Sequence, residues 1–332
     1  MKKIIAFVLS VVLLLGISCF AVSAVSESAG MDALRRQFYS DDSSPLDYVA
    51  YSPVKGEDDT TLYPLVVWLH GNSSGDYPGH QLTRWDCDIP LWASDEYQAR
   101  FKSEGGAFLL LPRCPTGKGV LAWGIERKND TKKTIDDFIE KNPNVDRSKI
   151  YIGGYSLGGK MVYMLASDYP DFFAAAFPMS ATYFPTNSEL ERMGKMSVWL
   201  FTNVNDTKTP SVNYRTAVKP NWDYLRKHAA NPVRCRITTI EKYYSPDGVE
   251  GGSDHNSWNA VIHDLFMNNR EPFPTMKTYD GNGSEVSMTY PDGFISWLSE
   301  QSLENRTDMP EKQGFIQRIL EIIRKLFALI FG

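Results

Sequence analysis

The chain has 332 residues, 42% of them hydrophobic and 23% charged, with a formal net charge of −5. That length suits one large α/β domain or two small ones, and the composition excludes a disordered or collagen-like chain. A mildly acidic balance also argues against a protein built to coat nucleic acid, which would carry a basic face.

The opening "MKKIIAFVLSVVLLLGISCFAVSA" has a basic start at Lys2 and Lys3, an apolar run and small residues up to Ala24. This predicts an export signal over residues 1–24, cleaved after Val22-Ser23-Ala24. The rival readings are an uncleaved anchor, because the apolar run is long, and lipidation at Cys19, whose Gly16-Ile17-Ser18 lead-in lacks the usual leucine. Export permits disulfides. Of the three cysteines left, Cys87 and Cys114 make the more plausible pair and Cys235 the odd thiol; three unpaired thiols is the alternative. No Cys/His cluster predicts a metal site, and no cofactor is expected. "DGNGSE" from Asp280 lacks the glycine and glutamate of a calcium loop and reads as a turn.

Residues 25–45 are polar and predicted to be loose. Residues 46–301 then alternate strand-like and helix-like patterns. Leu46–Pro53 and Arg234–Glu241 alternate apolar and polar, as half-exposed strands do. Tyr63–His70, Ala107–Pro112, Lys149–Gly154, Ala174–Ser180 and Ser197–Asn203 are continuous apolar runs, the pattern of parallel strands covered on both faces. Helices are predicted over Thr131–Lys141, Leu157–Asp168, Pro220–His228, Ser257–Met267 and Gly293–Gln301. The sum is an α/β chain with a mostly parallel, doubly wound sheet flanked by helices.

"YIGGYSLGGKMVYML" places Ser156 in a Gly-x-Ser-x-Gly turn. By composition a chain of this length holds about 0.1 such matches by chance. Here, however, a strand enters the turn and a helix leaves it, the setting of a nucleophile elbow. Gly154 and Gly158 suit a place where strand and helix backbones nearly touch. A serine hydroxyl needs a base to take its proton. Of five histidines, His70 and His80 precede the serine, and His228 and His263 fall in predicted helices. His255, in the loop "EGGSDHNSWNAVI", is the expected base. Asp206, just past the strand "SVWLFTN", is the expected acid that orients it, with Asp254 and Asp223 as rivals. The oxyanion donors expected are the backbone N–H of Leu157 and that of Asn72, in the loop "HGNSSG".

Together "PLVVWLHGNSSG", "VDRSKIYIGGYSLGGKMVYMLASDYPDFFAAAFPMS", "VWLFTNVNDTKTP" and "DHNSW" resemble the secreted esterases of the α/β-hydrolase superfamily. The likeness is to the polyhydroxybutyrate-depolymerase-like and feruloyl-esterase-like groups, near the prolyl-oligopeptidase-like hydrolases. It covers roughly Leu46 to Gln301. It implies the α/β-hydrolase fold, a triad of Ser156, Asp206 and His255, and oxyanion amides at Asn72 and Leu157. One departure stands out: the strand before the acid usually ends in His-Gly in such enzymes and here ends in Thr202-Asn203. Trp85, Trp92, Trp123 and Trp258 are candidates for an aromatic pocket wall, against the ordinary use of any one tryptophan in packing.

The expected activity is secreted carboxylic ester hydrolysis, on a substrate that is carbohydrate-linked or polymeric. The alternatives are a prolyl-oligopeptidase-like peptidase and a non-catalytic surface-binding protein on a hydrolase scaffold. After a polar linker at 302–313, "GFIQRILEIIRKLFALIFG" places Ile316, Ile319, Leu320, Ile323, Phe327 and Ile330 on one helical face and basic residues on the other. Residues 314–332 thus predict an amphipathic helix suited to a membrane surface, to the enzyme's own surface or to self-association.

Overall fold

The computed structural model describes residues 30–72, 82–85, 88–101, 104–116, 122–242, 253–263, 276–287 and 293–306. The predicted leader, most of the predicted linker and the C-terminal helix lie outside the described residues. Among those described, nine strands form one sheet: β1 (Tyr39–Asp41), β2 (Tyr48–Tyr51), β3 (Tyr63–Leu69), β4 (Phe108–Pro112), β5 (Val145–Tyr155), β6 (Ala175–Met179), β7 (Ser197–Asn203), β8 (Cys235–Ile240) and β9 (Met276–Asp280). Their order is β1-β2-β4-β3-β5-β6-β7-β8-β9. From β4 to β8 every neighbouring pair is parallel, while β1, β2 and β9 add antiparallel edges.

The main helices are α1 (Lys128–Lys141), α2 (Leu157–Asp168), α3 (Asn187–Met193), α4 (Lys219–His228) and α5 (Phe294–Ser299). Side chains alternate across the sheet, so each continuous apolar run feeds two cores. On β3, Leu65, Val67 and Leu69 pack with Ile135 and Phe138 of α1 and with Met161 and Leu165 of α2. Val66 and Trp68 face the other way, towards Trp92, Phe177 and Phe294. Each such side chain withdrawn from water contributes about 1.5–3 kcal/mol, which explains why both faces are covered.

β3 lies between β4 and β5, so the chain reverses its direction of travel across the sheet there. Such a switch point opens a crevice outside the carboxyl ends of the strands. The loop after β3 and the turn after β5 meet in it, because Leu69 is the ladder partner of Gly154.

Two boundaries differ from the sequence expectation. The supposedly loose N-terminal stretch contributes β1, paired to β2 through Tyr39–Ala50 and Asp41–Tyr48. At the other end the folded body runs past Gln301. Leu303 donates its N–H to Ser148, Ser302 is buried, and Arg306 pairs with Asp171. The reason is local chemistry: Leu303 packs against the apolar core, and Arg306 finds a carboxylate on the domain surface.

Candidate active site

Ser156 follows β5 directly and heads α2, with φ 55° and ψ −118°. That is a left-handed conformation a serine seldom takes, and such strain persists only where the surroundings enforce it. They do so through backbone contacts. Ser156 donates its N–H to the Met179 carbonyl at 3.0 Å, and its own carbonyl accepts from Thr182 and Lys160. A Cβ on Gly154 would stand 2.7 Å from the Leu69 carbonyl oxygen, and one on Gly158 would stand 2.5 Å from that of His70. The two glycines therefore let β5, α2 and the end of β3 close upon one another. A serine at a helix N-cap ordinarily accepts from the first-turn amides. Ser156 makes no such bond, which leaves its hydroxyl for another partner.

That partner is His255, whose Nε2 lies 3.0 Å from Ser156 Oγ. Nδ1 of the same ring lies 2.7 Å from Asp206 Oδ2. Asp206 is 1% exposed and His255 8%, so the ion-pairing face is shut off from water. The second carboxylate oxygen of Asp206 accepts the Lys208 N–H at 2.9 Å, which fixes the carboxyl plane. Trp258 stands edge-on to the imidazole, with ring centres 5.3 Å apart, and stacks on Tyr155, the residue before the serine, at 4.2 Å.

The loop after β3 is built around His70, which is fully buried. Its Nε2 accepts the Cys114 N–H at 3.0 Å, so the ring proton sits on Nδ1 and is donated to the Gly71 carbonyl. Burial holds the imidazole down at a pKa of about 4, neutral at ordinary pH. Trp123, at φ 56°, donates its indole N–H to the His70 carbonyl at 2.7 Å and its backbone N–H to the Cys114 sulfur at 3.1 Å. Asn72 accepts the Ala122 N–H on its side-chain oxygen. Gly71 presses so closely on the Tyr155 ring that a Cβ there would overlap it. The backbone of residues 70–72 thus lies alongside the serine turn, and Leu157 is in the first turn of α2, whose amides have no partner within the helix.

Comparison with known proteins gives three findings. The model of the prolyl oligopeptidase family matches residues 117–226, a stretch that holds Ser156 and Asp206 and stops short of His255. A bifunctional acetylxylan esterase/xylanase of Neocallimastix patriciarum is 28% identical over 119 residues, 35% of this chain and 16% of that protein. Among solved structures, a thermostable esterase superposes with a TM-score of 0.59 at 23% identity, covering 81% of this chain and 64% of that one. This chain has the α/β-hydrolase fold.

Within that fold the sequence-predicted residues divide. Ser156, His255 and Asp206 are brought together, with Leu157 and Asn72 on the two segments flanking the serine. The rival acids are engaged elsewhere: Asp254 accepts from Asn203, and Asp223 pairs with Lys219 and Arg226. Two of the four tryptophans are corrected. Trp92 and Trp123 are fully buried, and their indole N–H groups are spent on the carbonyls of Ile262 and His70, so neither faces an open pocket. Trp258 lies against the site. Trp85 falls in a short helical turn, and its side chain lies outside the described residues. Cys114 is a free, buried thiol, while Cys87 lies outside the described residues. The Asp280 turn is as read, with Asp280 Oδ1 accepting the N–H groups of Asn282 and Ser284. Sequence reasoning gave His70 no role because it precedes the serine; only its burial and both ring contacts identify it as the peg of its loop. It also missed a small surface hollow beyond β6 and β7, lined by Tyr163, Ala181, Tyr183, Thr202 and Ser211 among others.

Proposed function

We propose that this chain is an exported serine hydrolase that cleaves carboxylic esters through an acyl-enzyme. The observation that carries this reading is the unbroken hydrogen-bond chain from Ser156 through His255 to Asp206, mounted on a strained strand-to-helix turn. In the first half-reaction Ser156 Oγ attacks the ester carbonyl carbon while His255 Nε2 takes its proton. Asp206 holds Nδ1–H and so keeps Nε2 free to accept. The carbonyl oxygen becomes an oxyanion, met by the backbone N–H groups of Leu157 and Asn72; one such donor is worth about 2.7–4 kcal/mol in the transition state. His255 then returns the proton to the leaving alcohol. In the second half-reaction water, deprotonated by the same nitrogen, releases the acid.

The acetylxylan esterase/xylanase among the relatives supports a carbohydrate-linked or polymeric ester as substrate. Trp258, edge-on to His255, is the aromatic residue suited to face it. The second reading, peptide hydrolysis, is favoured by the match to the prolyl oligopeptidase family model. A fluorophosphonate probe tests the enzyme reading. Wild type should be labelled and Ser156→Ala should not; a folded wild type that takes no label overturns it. Comparing acetylated xylan with a prolyl peptide anilide separates the two substrate classes.

The domain plan that goes with this function is a cleaved leader at 1–24, a catalytic body and an amphipathic helix at 314–332 that rests on a membrane surface. Its test is partition onto anionic liposomes. The mature chain should bind and a chain ending at Arg306 should not; equal binding removes the anchor.

A further inference from the structure

His255 sits in a short stretch whose residues on either side make cross-chain contacts of their own. Two residues on, Ser257 is 2% exposed and donates its hydroxyl to the Phe201 carbonyl at 3.3 Å. A hydroxyl has one proton, so the 2.7 Å contact between Ser180 Oγ and Ser257 Oγ is donated by Ser180. Ser180 is itself 2% exposed, is held at φ 40°, and sends its backbone N–H to the same Phe201 carbonyl at 2.9 Å. One residue before the histidine, Asp254 accepts from Asn203 Nδ2 at 3.3 Å. Asn203 is 1% exposed, and its side-chain oxygen accepts the Asn205 N–H at 2.8 Å, inside the turn that delivers Asp206. It is therefore bonded to both the acid's turn and the base's segment.

We propose that Asn203–Asp254 and Ser180–Ser257–Phe201 form a two-point clamp that sets the imidazole of His255 between Ser156 and Asp206. Neither point touches the reacting atoms, so these are positioning residues. The proposal rests on the triad reading above. A buried hydroxyl pair ending on a carbonyl satisfies all its polar atoms and fixes one geometry. The amide–carboxylate contact fixes the other end. Between them the histidine has two residues of chain in which to move.

The test is steady-state ester hydrolysis, with fluorophosphonate labelling and the melting temperature measured in parallel. Ser257→Ala should lower kcat about 10- to 100-fold with KM within about twofold, the effect of a slightly misplaced catalytic group. Ser257→Thr, which keeps the hydroxyl, should recover most of it. In an Asp206→Asn background the Ser257→Ala loss should shrink to less than about threefold, because the contact it serves is already broken. Should Ser257→Ala fail to fold, the other end of the clamp decides. Asn203→Asp faces Asp254 with a second carboxylate and should cost activity. Adding Asp254→Asn rebuilds the donor–acceptor pair with its ends exchanged and should restore it. Wild-type kcat in Ser257→Ala, equal losses in both backgrounds, or no recovery in the exchanged pair overturns the clamp alone. A wild type that neither labels nor hydrolyses overturns the triad reading and the clamp with it.

Discussion

The two halves of the site are held by different means. On the Ser156 side the backbone does the holding. β3 and β5 are ladder partners, Ser156 bonds to Met179 through its N–H, and two glycines let main chain meet main chain. On the His255 side the held segment has, among the described residues, no strand or long helix of its own. It is positioned by side chains: Asn203 on Asp254, Ser180 on Ser257, and the Trp258 ring on Tyr155. Backbone contacts tolerate almost no substitution, because nothing can rotate aside. Side-chain contacts can be lost one at a time. The two halves should therefore fail differently, one by loss of fold and activity together, the other by loss of rate in a folded protein.

The largest contrast comes from Gly158→Ala. Its Cβ would overlap the Leu69 carbonyl and stand 2.5 Å from that of His70, both backbone atoms at the end of a central strand. Forcing atoms into a packed interior costs about 1–3 kcal/mol, or more where only backbone can yield. The substitution should lower stability in urea by about 3 kcal/mol and kcat by about 100-fold, since any relief moves the serine turn. Ser257→Ala, by comparison, should cost only about 1–2 kcal/mol of stability, the range for hydrogen-bond partners removed from a buried pair. A Gly158→Ala protein that is as stable and active as wild type would erase the distinction between the halves.

The same difference decides what could be read in the sequence. The central strands were legible because both their faces are covered and they are written as unbroken apolar runs; Tyr63–Leu69, Phe108–Pro112 and Ser197–Asn203 are buried throughout. β1, "YSD", is an exposed edge strand with no such pattern, and β9, "MKTYD", is buried on one face only. The start of β5, "VDRS", is too polar to show as an apolar run, although β5 begins at Val145. α3 was missed although Thr186 and Glu189 form a capping box that the spacing announces. At the site, Ser156 was legible because its turn imposes glycines on its neighbours, and Asp206 and His255 because each follows a strand in the order the fold requires. The clamp was not legible. Ser180 and Ser257 are 77 positions apart and Asn203 and Asp254 are 51 apart, and no local pattern records such pairings.

His70 sharpens the comparison, since it is a side chain working on the backbone-held half. Its pKa is about 4 in the folded chain, pushed down by burial, against an ordinary 6.5. The unfolded chain therefore binds a proton below pH 6.5 that the folded chain refuses until about pH 4. Above that window the residue is neutral in both states and imposes no penalty. As pH falls through it, stability is lost. Between pH 7 and pH 5 the loss from this one residue should be about 2 kcal/mol. Urea denaturation of wild type and His70→Gln at both pH values isolates it, because the other titrating groups are common to both proteins. The pH dependence of His70→Gln should be flatter by about that amount. Equal slopes would mean that the buried imidazole protonates as freely in the fold as outside it.

The smallest effect concerns the strain stored at Ser156 itself. A non-glycine residue held in a sparsely populated backbone region costs about 1–3 kcal/mol, and the cost falls on the backbone, not on the hydroxyl. Ser156→Ala removes the hydroxyl and keeps the strain. Ser156→Gly removes both, at a penalty of about 0.5–1 kcal/mol for the freer unfolded chain. The glycine variant should therefore be more stable than the alanine variant by about 1 kcal/mol in urea denaturation, although neither should hydrolyse an ester. If the alanine variant is the more stable, φ 55° at this position is not a strained state in this chain. The backbone contacts around the turn would then be following the serine's preference and not overriding it.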